Sequence, residues 1–206
     1  MNRLTNNLMK NGYLRSVPII EAFANIDRIE FVPKDIELNA GADIPLPIGF
    51  GQTISQPTTV AIMLELLEPK SGNKILDIGS GSGWSSALLG FIVGEKGKII
   101  SLERIDALCQ FARKNIGQNR RIGKEVVEIY HMDGSQGYEA RAPYDRILVS
   151  ASAPEIPQEL REQLKVGGKM VIPVNNRLHY IEKRGENDFY EESYPGFMFV
   201  PLICKK

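Results

Sequence analysis

Cysteine is scarce in this sequence: 206 residues hold two, Cys109 in a predicted helix and Cys204 near the end. Their spacing matches neither a disulfide framework nor a metal-ligand cluster, so both are expected to be reduced and structural, and no metal site is expected. Net charge is also lacking. Lys+Arg and Asp+Glu are 25 each, so no overall field condenses a polyanion, and nucleic acid is not an expected partner. No apolar run is long enough to span a bilayer, and residues 1–15 are polar, interrupted by Asn and Gly, without the apolar centre of a signal peptide. A cytoplasmic protein without a membrane partner, working as a monomer, is the expectation. The two histidines, His131 and His179, lie in or beside apparent strands far apart in sequence, and read as ordinary surface or core residues.

Hydrophobic residues, by contrast, make up 43% of the chain, which at this length suits one compact domain that buries most of its apolar surface. No repeat or low-complexity stretch divides it. Gly and Pro punctuation separates a head, residues 1–70, from a regular body, residues 71–206. In the head, helical spacing of apolar pairs predicts a helix over 18–26, closed by Phe31-Val32-Pro33. A Pro- and Gly-rich stretch, 43–52, is too apolar for a flexible linker, and Ser55-Gln56-Pro57 reads as the start of a helix over 58–67.

The body alternates strand and helix. Strands are predicted over 74–78, 98–102, 126–130, 145–149 and 169–172, with helices over 84–93, 105–115 and 156–164. That order implies a doubly wound α/β fold, a mainly parallel sheet with helices on both faces and its ligand at the carboxyl ends of the strands. Segments 178–183 and 197–203 read as two more strands joined by a polar loop, an antiparallel pair at one edge.

The first body strand runs into Gly79-Ser80-Gly81-Ser82-Gly83, and a helix follows. Glycine permits positive φ and close approach of a ligand to the backbone, and the helix N-terminus offers unpaired N–H groups, so the loop fits a nucleoside cofactor. The dinucleotide fingerprint is a poorer match: its third glycine would fall at Trp84, more often a core residue than a cofactor platform, whereas this chain has Gly83. Gly83 is therefore expected to begin the helix close to the ligand. Glu103 ends the next strand about 20 residues beyond the loop, where a carboxylate can accept from both ribose hydroxyls. Asp133-Gly134 follows the third strand, with an acid for an adenine amino group and room for the ring. Asp77, inside the first strand, is a carboxylate in an apolar run and needs a partner. Any one of these acids alone reads as a loop residue or helix cap. Together at three successive strand ends they point to a cofactor.

The run Leu46-Pro47-Ile48-Gly49-Phe50-Gly51-Gln52-Thr53-Ile54-Ser55-Gln56-Pro57 resembles the acceptor-site motif of protein-L-isoaspartate O-methyltransferases. The segments 76–83, Glu103-Arg104-Ile105, Asp133-Gly134, 143–147, 153–157, 171–174 and 199–202 are similar to the same family, so the likeness spans nearly the whole chain. It implies S-adenosylmethionine as cofactor, held by Asp77, Gly79, Ser80, Gly81, Ser82, Gly83, Glu103, Arg104, Asp133 and Gly134, with Thr53 and Ile54 alongside. The sulfonium or ammonium of its methionyl part would be the partner Asp77 needs, directly or through water. The acceptor implied is the free carboxylate of an isoaspartyl residue in a damaged peptide or protein. Ser55 would bind that carboxylate beside the donor methyl, in a pocket shaped by Gln52, Thr53 and Ile54, with Ser150 and Ala151 at the end of a central strand beside the peptide. On its own chemistry, Ser55 reads equally well as the N-cap of the following helix. Arg28 and Arg104 match family positions and otherwise read as solvated charges. Gly41 stands where the family usually has Tyr, predicting a looser acceptor pocket, and Asp77 stands where it often has Glu. A methyltransferase of this fold acting on a small molecule or RNA, or a non-catalytic cofactor-binding adaptor, would carry the same glycine loop.

Overall fold

The computed structural model describes residues 2–203; Cys204 lies outside them. The head contains helices α1 (Arg3–Lys10), α2 (Val17–Asn25) and α3 (Pro57–Leu67), with a hairpin of β1 (Leu46–Gly49) and β2 (Gln52–Ile54) before α3. The body contains β3 (Lys74–Ile78), α4 (Trp84–Val93), β4 (Lys98–Glu103), α5 (Asp106–Gln118), β5 (Val127–His131), β6 (Tyr144–Val149), α6 (Gln158–Glu162), β7 (Leu164–Val174), β8 (Arg177–Lys183) and β9 (Phe189–Pro195).

Seven of these strands form one sheet in the order β5-β4-β3-β6-β7-β8-β9, parallel from β5 to β7 and antiparallel at β7-β8 and β8-β9. The chain winds outward from β3 to β5, then restarts on the other side at β6. The order therefore reverses between β3 and β6, the place where open α/β sheets form a crevice. β3, β4 and β6 are buried almost without interruption. Such near-continuous apolar strands need cover on both faces. On one face Ile75, Ile99 and Leu148 pack with α2, α3 and α4 in a core that includes Phe23, Leu64, Trp84 and Leu88. On the other, Leu76, Ile100 and Ile147 pack with Leu160 of α6 and with Tyr144. Phe23 meets Trp84 edge-on at 5.5 Å, so head and body share one core.

The head stretch 43–52 forms most of the β1–β2 hairpin rather than a simple lead into the helix. Predicted helix 156–164 shortens to α6, because Pro157 precedes it and Leu164 already begins β7. The largest departure is at the end of the chain. The last strand is Phe189–Pro195, a stretch that reads in sequence as a polar loop, and 197–203 is not a strand. An edge strand needs only one packed side. Tyr190 meets Tyr180 at 6.3 Å and lies under the Arg184 guanidinium at 4.3 Å, while Glu191 and Glu192 are exposed, Glu191 pairing with Arg161. Residues 197–203 instead cross the carboxyl ends of the sheet, tied to Ser152 by its N–H donating to Val200 O at 2.8 Å and its carbonyl accepting from Leu202 N at 2.8 Å.

Candidate active site at the switch point of the sheet

The glycine loop hangs from the end of β4: Gly79 N and Ser80 N donate to Leu102 O at 2.8 and 3.2 Å, and Gly81 N donates to Glu103 Oε2 at 3.0 Å. A cleft with about 620 Å³ of empty space lies between this loop, the ends of β4 and β6, and the crossing segment. Its polar ends are Glu103, Arg104 and Asp133, its floor includes Ile78, Leu102 and Met132, and Val200, Pro201 and Leu202 close one side. Glu103 is buried and also accepts from Ile105 N at 2.9 Å, so each carboxylate oxygen retains a lone pair for a hydroxyl. Asp133 Oδ1 accepts from Ser135 N at 2.9 Å. At Gly134 a Cβ would fall 2.7 Å from Ile78 Cγ2 and 3.3 Å from Leu102 Cβ. Any side chain there would displace the apolar floor.

A second, smaller chamber adjoins the first and shares Thr53, Gly79, Gly81 and Ser150 with it. Ile54, Ser55, Ser80, Ser82, Trp84 and Ser85 complete most of its wall. Hydroxyls thus dominate, and no ionisable side chain is among these lining residues. Ser80 Oγ, Ser82 Oγ and Trp84 Nε1 are buried without a hydrogen-bond partner, a costly arrangement that a polar ligand would relieve. Trp84 is core on its Phe23 side and chamber wall on the other.

Ser55 is free of the capping duty open to it in sequence. Gln56 is the N-cap of α3 and makes no side-chain cap; the first turn is held by Asp43, which accepts from Thr58 N at 2.8 Å and Thr58 Oγ1 at 2.5 Å. The competing cap lies 15 residues upstream of Thr58, out of sight of local reading. Arg28 is likewise not a solvated charge. It is 2% exposed, and its guanidinium donates to the carbonyls of Ala40, Ala42, Ile44, Ile54 and Ser55 at 2.9–3.4 Å. Burial lowers its pKa to about 10, opposed by Asp43, so it stays charged at neutral pH.

Two glycines have other roles than those expected. Gly83 caps α4 at φ +92°, but its missing Cβ would face α5, 3.1 Å from Ala112 Cβ and 3.3 Å from Ile116 Cδ1. It is not among the residues lining either cavity, and packing against α5 requires a glycine here. Gly41 is exposed, a Cβ added to it would meet nothing within 4 Å, and it borders a separate surface hollow with Leu38 and Asp43. It lies outside the lining of the chamber that holds Ser55. Gln52, Thr53, Gly79, Gly81, Ser150 and Ala151 line the cleft, and the crossing segment 200–203 joins them without a signal in the sequence.

Asp77 sits behind the chamber rather than in its wall. Its Oδ2 accepts from Ser85 Oγ at 2.9 Å and Ser86 Oγ at 2.6 Å, so the partners are α4 serines, while Oδ1 is left unpaired. Complete burial raises its pKa to about 6, the two serine hydrogen bonds pull it back, and Glu103 adds to the rise. An acid with a folded pKa above its unfolded value near 3.8 binds its proton more tightly when folded. Stability from this group is therefore greatest below about pH 4 and is lost as pH rises through about 6. Asp77→Asn should raise the unfolding free energy of the cofactor-free protein at pH 8 by about 2 kcal/mol, somewhat below the full linkage value for such a shift. Thermal denaturation at pH 5 and pH 8 checks this; a variant no more stable than the parent at pH 8 would contradict it.

Fold and cleft together define a doubly wound α/β protein with its ligand crevice at the switch point of the sheet. The whole chain, residues 1–206, matches the model of the protein-L-isoaspartate(D-aspartate) O-methyltransferase family, and the chain belongs to that family. A protein-L-isoaspartate O-methyltransferase of Methanopyrus kandleri is 47% identical over 206 residues, covering 98% of this chain and 90% of the relative. One from Methanothermobacter thermautotrophicus is 42% identical, covering 98% and 94%. Among solved structures, a Plasmodium falciparum protein assigned to the same activity, in complex with S-adenosyl-L-homocysteine, superposes with TM-score 0.86 at 26% identity, covering 97% of this chain and 96% of that one. The residues present here fit such a cofactor: glycine backbone along the cleft, spare lone pairs on Glu103, and unpaired buried hydroxyls at Ser80 and Ser82. No helix among the described residues is long and apolar enough to cross a membrane.

Proposed function

We propose that this chain transfers the methyl group of S-adenosylmethionine to the free carboxylate of L-isoaspartyl residues in damaged peptides and proteins. One observation carries the reading: Ser55 lines a chamber of hydroxyls, without ionisable side chains among its lining residues, that shares Gly79 and Gly81 with the cofactor cleft. When bound, S-adenosylmethionine supplies a methyl group on a sulfonium. A carboxylate is already ionised at neutral pH, so the protein needs no general base and must mainly orient the reactants and exclude water. Ser55 donates a hydrogen bond that holds the acceptor anion without neutralising it, as a Lys or Arg would. Glu103 accepts from the ribose hydroxyls, Asp133 takes the adenine end, and Val200 to Leu202 shield the cleft from solvent. The methyl ester formed is labile: attack by the following backbone amide nitrogen expels methanol and closes a succinimide, which water reopens partly to normal aspartate. The activity is therefore repair. The balanced charge supports action away from nucleic acid, and the shared core of head and body supports a single unit, with residues 1–70 on the acceptor side and 71–206 on the cofactor side.

The test is a methyl-transfer assay on a short peptide with internal isoaspartate and on its aspartyl twin. In the isoaspartyl form the free carboxylate is one bond from the α-carbon; in the normal form it lies one methylene further out. Such a displacement, near 1 Å, costs about 100-fold where in-line geometry is required, so the aspartyl peptide should react at least that much more slowly. Ser55→Ala should lower the rate on the isoaspartyl peptide by roughly 10 to 100-fold, equivalent to one buried hydrogen bond, with cofactor affinity little changed. Comparable rates on the two peptides would refute repair. Cofactor binding without transfer to either would leave a small-molecule or RNA methyltransferase, or an adaptor.

A further inference from the structure

The β1–β2 hairpin turns through Phe50 and Gly51, with φ of +55° and +70°, after Gly49 at +90°. A two-residue hairpin loop with positive φ at both positions favours Asn, Asp or Gly at the first. Phenylalanine there is strained, and burial does not compensate, because Phe50 is 64% exposed. Neither turn formation nor core packing accounts for it. The strand that leaves this turn carries the reaction site: Gln52 and Thr53 line the cofactor cleft, Ile54 and Ser55 the acceptor chamber, and Gln52 Nε2 donates back to Phe50 O at 3.3 Å. We infer that Phe50 is a specificity-determining residue that receives an apolar side chain of the substrate peptide flanking the acceptor residue.

This inference rests on the isoaspartyl reading above. A peptide whose acceptor carboxylate is at Ser55 must run out of the chamber on both sides. Phe50 is five residues from Ser55, at most about 17 Å of extended chain. An extended peptide covers that span in the same number of residues, and the phenyl ring shortens it, so the side chain met lies within about four residues of the isoaspartyl position. An exposed aromatic ring gains by covering such a side chain, and a serine or glycine in its place offers little.

The experiment compares two isoaspartyl peptides, one with leucines and one with serines at the flanking positions, on the parent, Phe50→Gly, Phe50→Leu and Leu38→Ala. Glycine removes the ring and the backbone strain together, so Phe50→Gly should melt no lower than the parent. Its kcat/KM on the leucine peptide should fall about tenfold through KM, with kcat, cofactor affinity and the serine peptide changed by less than about twofold. Phe50→Leu should retain most of the preference. Leu38→Ala, at a fully exposed position bordering the separate hollow, should leave both peptides unaffected. If Phe50→Gly changes both peptides by the same factor, or neither, the assignment is overturned. Failure of the isoaspartyl reading itself would show differently, as no methylation of either peptide by the parent.

Discussion

Replacing Arg28 by methionine is expected to lower the unfolding free energy by about 3 kcal/mol, the scale of breaking a buried hydrogen-bond network. The guanidinium ties two stretches that local structure does not connect, 40–44 and 54–55, through five carbonyls. It also lies 5.4 Å from the Trp84 ring, which adds a cation–π contact at the chamber wall. Methionine has no donor, so the buried carbonyls of Ala40 and Ile54 would be left unpaired, each at a cost comparable to a lost hydrogen bond, while the part-buried carbonyls of Ala42, Ile44 and Ser55 would turn to water. Removing the desolvation penalty of the cation offsets part of that cost, which is why the expected loss is well below the sum over five bonds. Arg28→Lys should recover only part of the loss, because an ammonium cannot span both sides as the planar fork does. Urea denaturation gives the difference, and a methionine variant with the parent's midpoint and slope would refute the clamp. Because Ser55 O is among the carbonyls held, the folded fraction should also transfer methyl groups more slowly while keeping its cofactor affinity.

Gly83→Val should destabilise the fold by roughly 4 kcal/mol, combining a strained positive φ for a β-branched residue with overpacking against α5. The residue stands at φ +92° with Ala112 Cα, a backbone atom, 3.3 Å from where its Cβ would be. α5 cannot swing away cheaply, since its Leu108 and Cys109 are buried against the sheet. Loss of cofactor binding in this variant would accompany unfolding rather than report on the site. Gly79→Ala is the contrasting case. It also has positive φ, +82°, but a Cβ would meet only Ser150, at 3.8 Å, beside the cleft. It should cost about 1 kcal/mol in stability and yet weaken the cofactor, because the added methyl points along the loop that the ligand approaches. Circular-dichroism melting with calorimetric titration of S-adenosylhomocysteine separates the two. A Gly83→Val protein that melts like the parent would return that glycine to the ligand site.

Features that depend on neighbours along the chain were readable in the amino-acid sequence alone. β3, β4 and β6 were legible because strands covered on both faces are written as largely apolar runs, and the loop 79–83 and the acids Glu103 and Asp133 because each lies at or just past the end of its strand. The family likeness reached the same cleft through Gln52 to Ser55. Tertiary structure was needed to settle which long-range contacts claimed each residue. Asp43 took the cap of α3 and left Ser55 to the chamber; Ser85 and Ser86 became the partners of Asp77; Arg28 was drawn into the head by carbonyls 12 to 27 positions away. The exchange of strand between 197–203 and Phe189–Pro195 has the same origin. An edge strand with one packed side carries a weak pattern, whereas an apolar segment looks like a strand even when its hydrophobic side chains are used to close a cleft. Local pattern records how a residue can be buried, and only the assembled fold supplies the surface against which it is.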